Sequence, residues 1–197
     1  MIALVDYGAG NVGSVAKAVR HLGGEAEIVH RAEDLRKAEK IILPGQGHFE
    51  SMVGALHEGG LFAPLKELIA GGRRYLGICL GLQVLYERSE EAPSSPGFAL
   101  LPGEIRRLAG VFKIPHIGWS QLEVRKAEGL LSGVPDGSFF YFCHSYSAPD
   151  GPYSVGATQY GRPFASVVEK GSFCGVQFHP EKSGDLGLKV LRNFLEG

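Results

Sequence analysis

In Tyr75-Leu76-Gly77-Ile78-Cys79-Leu80-Gly81-Leu82-Gln83, two glycines bracket a cysteine at equal spacing, a G-x-C-x-G pentad from Gly77 to Gly81. The apolar residues ahead of it read as a strand over 74–78, and the spacing behind it predicts a helix over 80–87. Cys79 then stands at the apex of a sharp strand-to-helix turn. Glycines at either side lack Cβ atoms, so strand and helix can crowd together around that turn, as in a nucleophile elbow. A helix N-terminus beneath a cysteine favours the thiolate, which is the reactive form. The same pattern suits a buried structural cysteine, because free Cys is among the most buried residue types.

Upstream of the elbow, strands and helices alternate. Residues 2–6 form a short apolar run before a glycine-rich turn. Residues 11–22 have helical spacing (Val12, Val15, Ala16, Val19, Leu22) and stop at Gly23-Gly24. Strands are expected over 25–29 and 40–43, the second closed by Pro44-Gly45, and helices over 49–57 and 61–70. This alternation implies a parallel sheet with helices on both faces. From Gly103 onward the pattern changes to strands separated by Gly, Pro and Asp turns: 104–108, 121–124, 138–143, 154–159, 165–169 and 173–178. A last helix is expected over 186–195. Residues 90–102 read as a loop too short to link domains. The expectation is one α/β domain over 1–197, its central sheet mixed and mostly parallel, with antiparallel strands added in the C-terminal half.

Ligands of such sheets sit at the carboxyl ends of strands. Three candidate turns lie there, after Leu43, Ile78 and Phe178. The last carries His179-Pro180-Glu181. Pro180 disfavours helix at His179, so the triplet is expected to be extended, with residues 179 and 181 facing the same way. Glu181 can then orient the imidazole while its other nitrogen faces a nucleophile. Cys79, His179 and Glu181 together have the logic of a triad. After Leu43, the Gly-flanked loop Pro44-Gly45-Gln46-Gly47 can turn a backbone N–H toward a developing oxyanion, paired with that of Leu80.

Gly8-Ala9-Gly10-Asn11-Val12-Gly13 is formally G-x-G-x-x-G between a strand and a helix. The acid expected about 20 residues on is missing, since the second strand ends Val29-His30-Arg31, and there is no second mononucleotide half. A dinucleotide site is therefore not expected, nor any other cofactor. None of the seven histidines forms H-x-H or H-E-x-x-H, so no metal site is expected. Three cysteines without a C-x-x-C pair argue against a disulfide framework. Cys143 and Cys174 read as core or near-core residues, and a Cys143–His144 dyad fails because adjacent strand residues point oppositely.

A net charge of −1 gives no basic field for nucleic acid or an anionic membrane. No apolar run approaches the about 20 residues that span a bilayer. The N-terminal run enters a strand without a basic n-region, so secretion is not expected and a cytoplasmic location is.

The elbow with Gln83, together with His179-Pro180-Glu181, resembles the class I glutamine amidotransferases over nearly the whole chain. Narrower strings are similar to the glutaminase subunits of imidazole glycerol phosphate synthases: Asp6-Tyr7-Gly8-Ala9-Gly10-Asn11, Leu43-Pro44-Gly45-Gln46-Gly47, Ile114-Pro115-His116-Ile117-Gly118-Trp119, Tyr141-Phe142-Cys143-His144-Ser145-Tyr146 and His179-Pro180-Glu181-Lys182-Ser183. Gln46 and Cys143 depart from that pattern, which commonly has Val at both positions.

The resemblance implies a flavodoxin-like fold and hydrolysis of glutamine to glutamate and ammonia through a glutamyl thioester. It makes Cys79 the nucleophile, His179 the proton carrier and Glu181 its orienter, with an oxyanion hole at Gln46, Gly47 and Leu80. It implies substrate contacts from Gln83, Glu91, Ser145 and Tyr146. It further implies a (β/α)8-barrel cyclase partner that receives the ammonia in histidine biosynthesis, docked over Asn11, Trp119 and Lys182. Activity of the chain alone should then be weak. Other readings are a glutaminase for pyridoxal phosphate or anthranilate synthesis, a cysteine-peptidase-like hydrolase, and a non-catalytic regulatory subunit. The last needs a broken triad, and all three residues are present.

Overall fold

A computed structural model describes residues 1–8, 11–110 and 113–197, so the middle of the G-x-G-x-x-G reading, Ala9 and Gly10, lies outside the described residues. The first half runs β1 (Ile2–Val5), α1 (Val12–His21), β2 (Ala26–Val29), α2 (Ala32–Lys37), β3 (Lys40–Gly45), α3 (Phe49–Glu58), α4 (Phe62–Ala70), β4 (Arg74–Cys79) and α5 (Leu80–Gln83). The second half runs β5 (Tyr86–Ser89), β6 (Leu101–Arg107), β7 (His116–Val124), β8 (Ser138–His144), β9 (Tyr146–Pro149), β10 (Ser154–Tyr160), β11 (Arg162–Lys170), β12 (Phe173–Val176) and α6 (Gly184–Glu196).

The main sheet has the order β2-β1-β3-β4-β12-β11-β10-β7-β8, with β5, β6 and β9 joined at its side through β11. Strands β2, β1, β3, β4 and β12 are parallel; β11, β10, β7 and β8 continue antiparallel. The mixed architecture expected from the sequence is the one observed. Side chains alternate across the parallel strands, as the two-residue period requires. Ala3, Val5, Ile41, Leu43 and Tyr75 share one core with Phe49, Met52, Leu56, Leu65 and Ile69 of α3 and α4. Leu4, Ile42, Leu76, Ile78 and Val176 share the other with Val15 and Val19 of α1 and Leu191 and Phe194 of α6. Each fully buried aliphatic side chain contributes about 1.5–3 kcal/mol. Two apolar faces therefore hold the parallel strands between helices.

This layering fixes where the candidate residues go. Strand β12, late in the chain, inserts beside β4 with Val176 opposite Ile78. Strand β3 flanks the other side with Gly45 opposite Cys79. The three turns singled out in the sequence therefore stand side by side at one sheet edge.

Four expectations are corrected. The helix behind Cys79 is one turn, not 80–87. Backbone N–H groups of Phe98, Leu100 and Leu101 take the carbonyls of Val84 and Leu85, at 2.6, 2.9 and 2.9 Å. That returning segment turns the chain into β5, which pairs with β6. Helix α2 and strand β9 were not read from the sequence; both are short, and β9 ends in Pro149. His179 is extended, but residues Pro180–Lys182 form a turn of 3₁₀ helix. Cys143 is exposed, on the face of β8 opposite buried His144, whereas Cys174 is buried as expected. Among the described residues no helix is long and apolar enough to cross a membrane.

Candidate active site

Cys79 has φ 56° and ψ −108°, a left-handed conformation that a residue with a side chain rarely adopts. Such a conformation costs on the order of 1–3 kcal/mol and persists only where its surroundings over-determine it. Here they do. A Cβ on Gly77 would lie 2.1 Å from Gly81 O, and one on Gly81 would lie 1.9 Å from Leu43 O. Only bare glycine lets β3, β4 and α5 pack this closely. The Tyr75 hydroxyl, buried beneath, donates to Gly81 O at 2.7 Å and pins the turn from inside.

His179 arrives from the neighbouring strand. Its N–H donates to Tyr141 O at 2.9 Å, and the Ser183 hydroxyl donates to its carbonyl at 2.7 Å. Its Nδ1 donates to Glu181 Oε1 at 3.0 Å, with both side chains buried. That leaves Nε2 for the thiol. Burial pushes the imidazole pKa down, but hydrogen bonds and charge at Cys79 and Glu181 outweigh it and raise the pKa to about 10. The ring is thus an imidazolium at neutral pH, held between a carboxylate and the sulfur. The 3₁₀ turn achieves by curling what the sequence reading assigned to an extended triplet.

A cavity of about 630 Å³ opens over this group. Gln46, Gly47, Leu80, Gln83, Glu91, Ser145, Tyr146 and Lys182 all reach it along with Cys79 and His179. A depression of similar volume, about 710 Å³, between β6, β9 and β11 holds none of them.

Within the cavity, roles divide by what each group already touches. The Gln46 N–H donates to the Tyr7 hydroxyl at 3.4 Å, so that peptide is tied to β1's end rather than turned to the sulfur. Burial pushes the Tyr7 phenol up to about 12, against the Gln46 hydrogen bond that lowers it. The Leu80 N–H opens the single turn of α5, where first-turn amides have no intrahelical partner. Gln83 is buried. Its Nε2 donates to Tyr146 O at 2.8 Å, while its Oε1 has no hydrogen-bond partner among the described residues. Glu91 Oε2 accepts from the Phe49 N–H at 2.9 Å, at the N-terminus of α3, where the dipole favours an anion. The carboxylate is thus fixed at the cavity wall, where it can meet a cationic amine.

Of the three expected interface residues, Lys182 lines the cavity and Asn11 and Trp119 do not; Trp119 is 54 % exposed on β7 and packs edge-on against Tyr141, their centroids 6.1 Å apart. Lys182 Nζ lies 5.9 Å over the same Tyr141 ring. Asn11 precedes α1, which packs against the 180–182 turn. Tyr141 joins the first two and was missed in the sequence, as were Tyr7, Gln177, His116 and His144. Polar residues inside otherwise apolar strand runs were the available signal for Gln177 and His144.

A buried, strained cysteine beside an imidazolium–carboxylate pair, under a pocket with backbone donors, is equipped for acyl transfer from an amide. The family model described as "Glutamine amidotransferase class-I" matches residues 3–197. The chain belongs to the class I glutamine amidotransferases. Relatives described as "Imidazole glycerol phosphate synthase subunit HisH" from Bacillus cereus (strain G9842) and Bacillus mycoides (strain KBAB4) are each 45 % identical over 196 residues, covering 98 % of this amidotransferase chain and 93 % of the relative. In fold, the chain is similar to a crystal structure of a glutamine amidotransferase, with TM-score 0.78, 22 % identity, and coverage of 100 % of this chain and 98 % of the other. It is likewise similar to PurLQS from Thermotoga maritima, with TM-score 0.77, 21 % identity, and coverage of 99 % and 97 %.

Proposed function

We propose that this chain, over residues 1–197, is the glutaminase subunit of an imidazole glycerol phosphate synthase. The observation that carries the reading is the side-by-side placement of Cys79, at the end of β4, and His179–Glu181, in the turn after the adjacent parallel strand β12. The full-length similarity to subunits of that name supports the choice of synthase. Cys79 sulfur attacks the carboxamide carbon of glutamine, and the C–S bond forms as charge moves to oxygen. The Leu80 N–H receives that charge, joined by the Gln46–Gly47 backbone once the Gln46 amide leaves Tyr7. His179 gives its proton to the departing nitrogen, the C–N bond breaks, and ammonia leaves. Water then adds to the thioester with His179 as base, the C–S bond breaks, and glutamate is released. Glu91 takes the substrate ammonium, and Gln83, Ser145 and Tyr146 hold its polar end.

Ammonia released into water would be lost as ammonium, so a partner is part of the reading. The partner is a (β/α)8-barrel cyclase of histidine biosynthesis. Its docking surface is the Trp119–Tyr141–Lys182 cluster with Asn11. Three free cysteines suit a reducing compartment, and we place the complex in the cytoplasm. The test measures glutamate release by the chain alone, then with the cyclase subunit and its nucleotide-type ligand. Release that rises many-fold only in the loaded complex supports the assignment; equal rates with and without the partner contradict it.

A further inference from the structure

Gln177 is fully buried one residue before Phe178, and the chemistry above makes no use of it. Its side-chain amide nitrogen lies 3.6 Å from Cys79 Sγ, and its Oε1 accepts from Gln83 Nε2 at 3.1 Å. Which end of an amide faces sulfur decides everything, because an N–H stabilises a thiolate and a carbonyl repels it. The surrounding network fixes the orientation. Tyr146 O is a backbone carbonyl and can only accept. Gln83 must therefore turn its NH₂ toward Tyr146 O, at 2.8 Å. The second hydrogen of that NH₂ meets Gln177 Oε1, which leaves the Gln177 NH₂ to face the sulfur. A flip of Gln177 would oppose two donors, and a flip of both amides would oppose two carbonyl oxygens.

The same carbonyl is held from the other side. His144 Nδ1 meets Tyr146 O at 2.9 Å, so that nitrogen carries the proton. His144 Nε2 then accepts from His116 Nδ1 at 3.0 Å, and His116 Nε2 accepts from the Ser120 hydroxyl at 2.8 Å. Burial pushes His116 down to about 4 and His144 down to about 3, so each ring holds the single proton this pattern requires. Two hydrogen-bonded arms thus converge on Tyr146 O, one from Ser120 on β7 through the two imidazoles, the other from Gln83, whose second N–H holds Gln177 against the sulfur.

We propose that Gln177 is a catalytic residue of the glutaminase reaction, its side-chain N–H donating to Cys79 Sγ. The inference rests on the reading of Cys79 as nucleophile. The α5 helix is a single turn, too short for the dipole expected of eight residues, and Gln177 joins the His179 imidazolium as a second side-chain donor at the sulfur. In the resting pair the Gln177 N–H and the His179 imidazolium share the thiolate's electron pair; in the attack that pair forms the C–S bond, the His179 proton goes to the departing nitrogen, and the Gln177 N–H stays on nitrogen. When water cleaves the thioester, that pair returns to sulfur and the same N–H receives it.

The test uses Gln177→Leu and the isosteric Gln177→Glu in complex with the cyclase subunit. A hydrogen bond to a charged group supports a loss of about 10- to 100-fold in kcat, with KM for glutamine within about twofold. Gln177→Glu should lose more, since it sets a carboxylate against the sulfur. Iodoacetamide labelling at Cys79, followed by peptide mass spectrometry because exposed Cys143 also reacts, should shift its pH midpoint upward in both variants. Folded variants with wild-type kcat and an unmoved midpoint overturn the role of Gln177. Should neither variant fold, the Gln177 side-chain ¹⁵N resonance of the wild-type chain decides. It should titrate with the Cys79 labelling midpoint, and a resonance that does not move overturns the proposal. Cys79→Ala separates the two levels: full glutamate release in that variant would sink the nucleophile reading itself.

Discussion

Replacing Gly81 by alanine tests whether crowding of β3, β4 and α5 is what holds Cys79 in place. The new Cβ would lie 1.9 Å from the carbonyl oxygen of Leu43, against an ordinary contact of 3.4 Å. The obstacle is backbone, flanked by fully buried Leu43, so no side chain can swing aside. The elbow must move off β3 by about 1.5 Å, the difference of those distances. Overpacking of a close-packed core costs about 1–3 kcal/mol. For a chain of this size that lowers Tm by roughly 2–12 °C. A misplacement of about 1 Å at a reacting group costs on the order of 100-fold in rate, so kcat should fall at least that far in the partner complex. The control is Gly54→Ala in the middle of α3, where nothing lies within 4 Å of the added Cβ. There alanine should leave activity alone and stabilise by about 0.5–1 kcal/mol. Thermal melts and glutamate release in both variants check this. A Gly81→Ala protein with wild-type kcat would refute the claim that the glycine contact shapes the Cys79 turn.

Tyr7→Phe removes the acceptor that ties down the Gln46 N–H at 3.4 Å. A bond this long contributes little, so glutamate release by the chain without its partner should rise only about 2- to 5-fold; a fall would show that Tyr7 supports the hole instead of restraining it. Stability should decline in acid. His116 and His144 are pushed down by burial to about 4 and about 3, so between about pH 6.5 and 4 the unfolded chain binds two protons that the folded chain does not. Stability then falls with decreasing pH at a slope approaching about 2.7 kcal/mol per unit. His179, raised to about 10, is charged in both states across that window and adds no slope. Its stabilisation, complete below about pH 6.5, is lost as pH rises toward 10. His116→Phe should halve the acid slope in urea titrations; an unchanged slope contradicts the buried-neutral assignment.

The parallel half of the sheet was legible because β1, β3, β4 and β12 are short apolar runs with glycine or proline near their ends, and α1, α3 and α4 carry a 3.6-residue period. The placement of Cys79 beside His179 was legible for the same reason: each stands at the end of such a run, and ligands gather at strand ends. The helix behind Cys79 was misjudged because Leu82, Val84 and Leu85 suit helix and strand equally. What ends α5 is the return of Phe98–Leu101 onto the carbonyls of residues 84 and 85, a contact that local sequence does not carry. Cys143 was misplaced because its aromatic neighbours read as a wholly buried run, whereas β8 is the sheet's edge and shows one face to solvent. The amide and imidazole arms that converge on Tyr146 O depend on registers, such as His116 opposite His144, that long-range pairing alone creates.

The central claim is that Cys79 releases ammonia from glutamine for a partner's use. It is tested most directly in the complex of the cyclase subunit with the Cys79→Ala chain, by measuring imidazole product from glutamine and, separately, from ammonium salts. The account predicts that glutamine-driven synthesis disappears while ammonium-driven synthesis stays at the wild-type rate. Synthesis from glutamine that survives Cys79→Ala would contradict it.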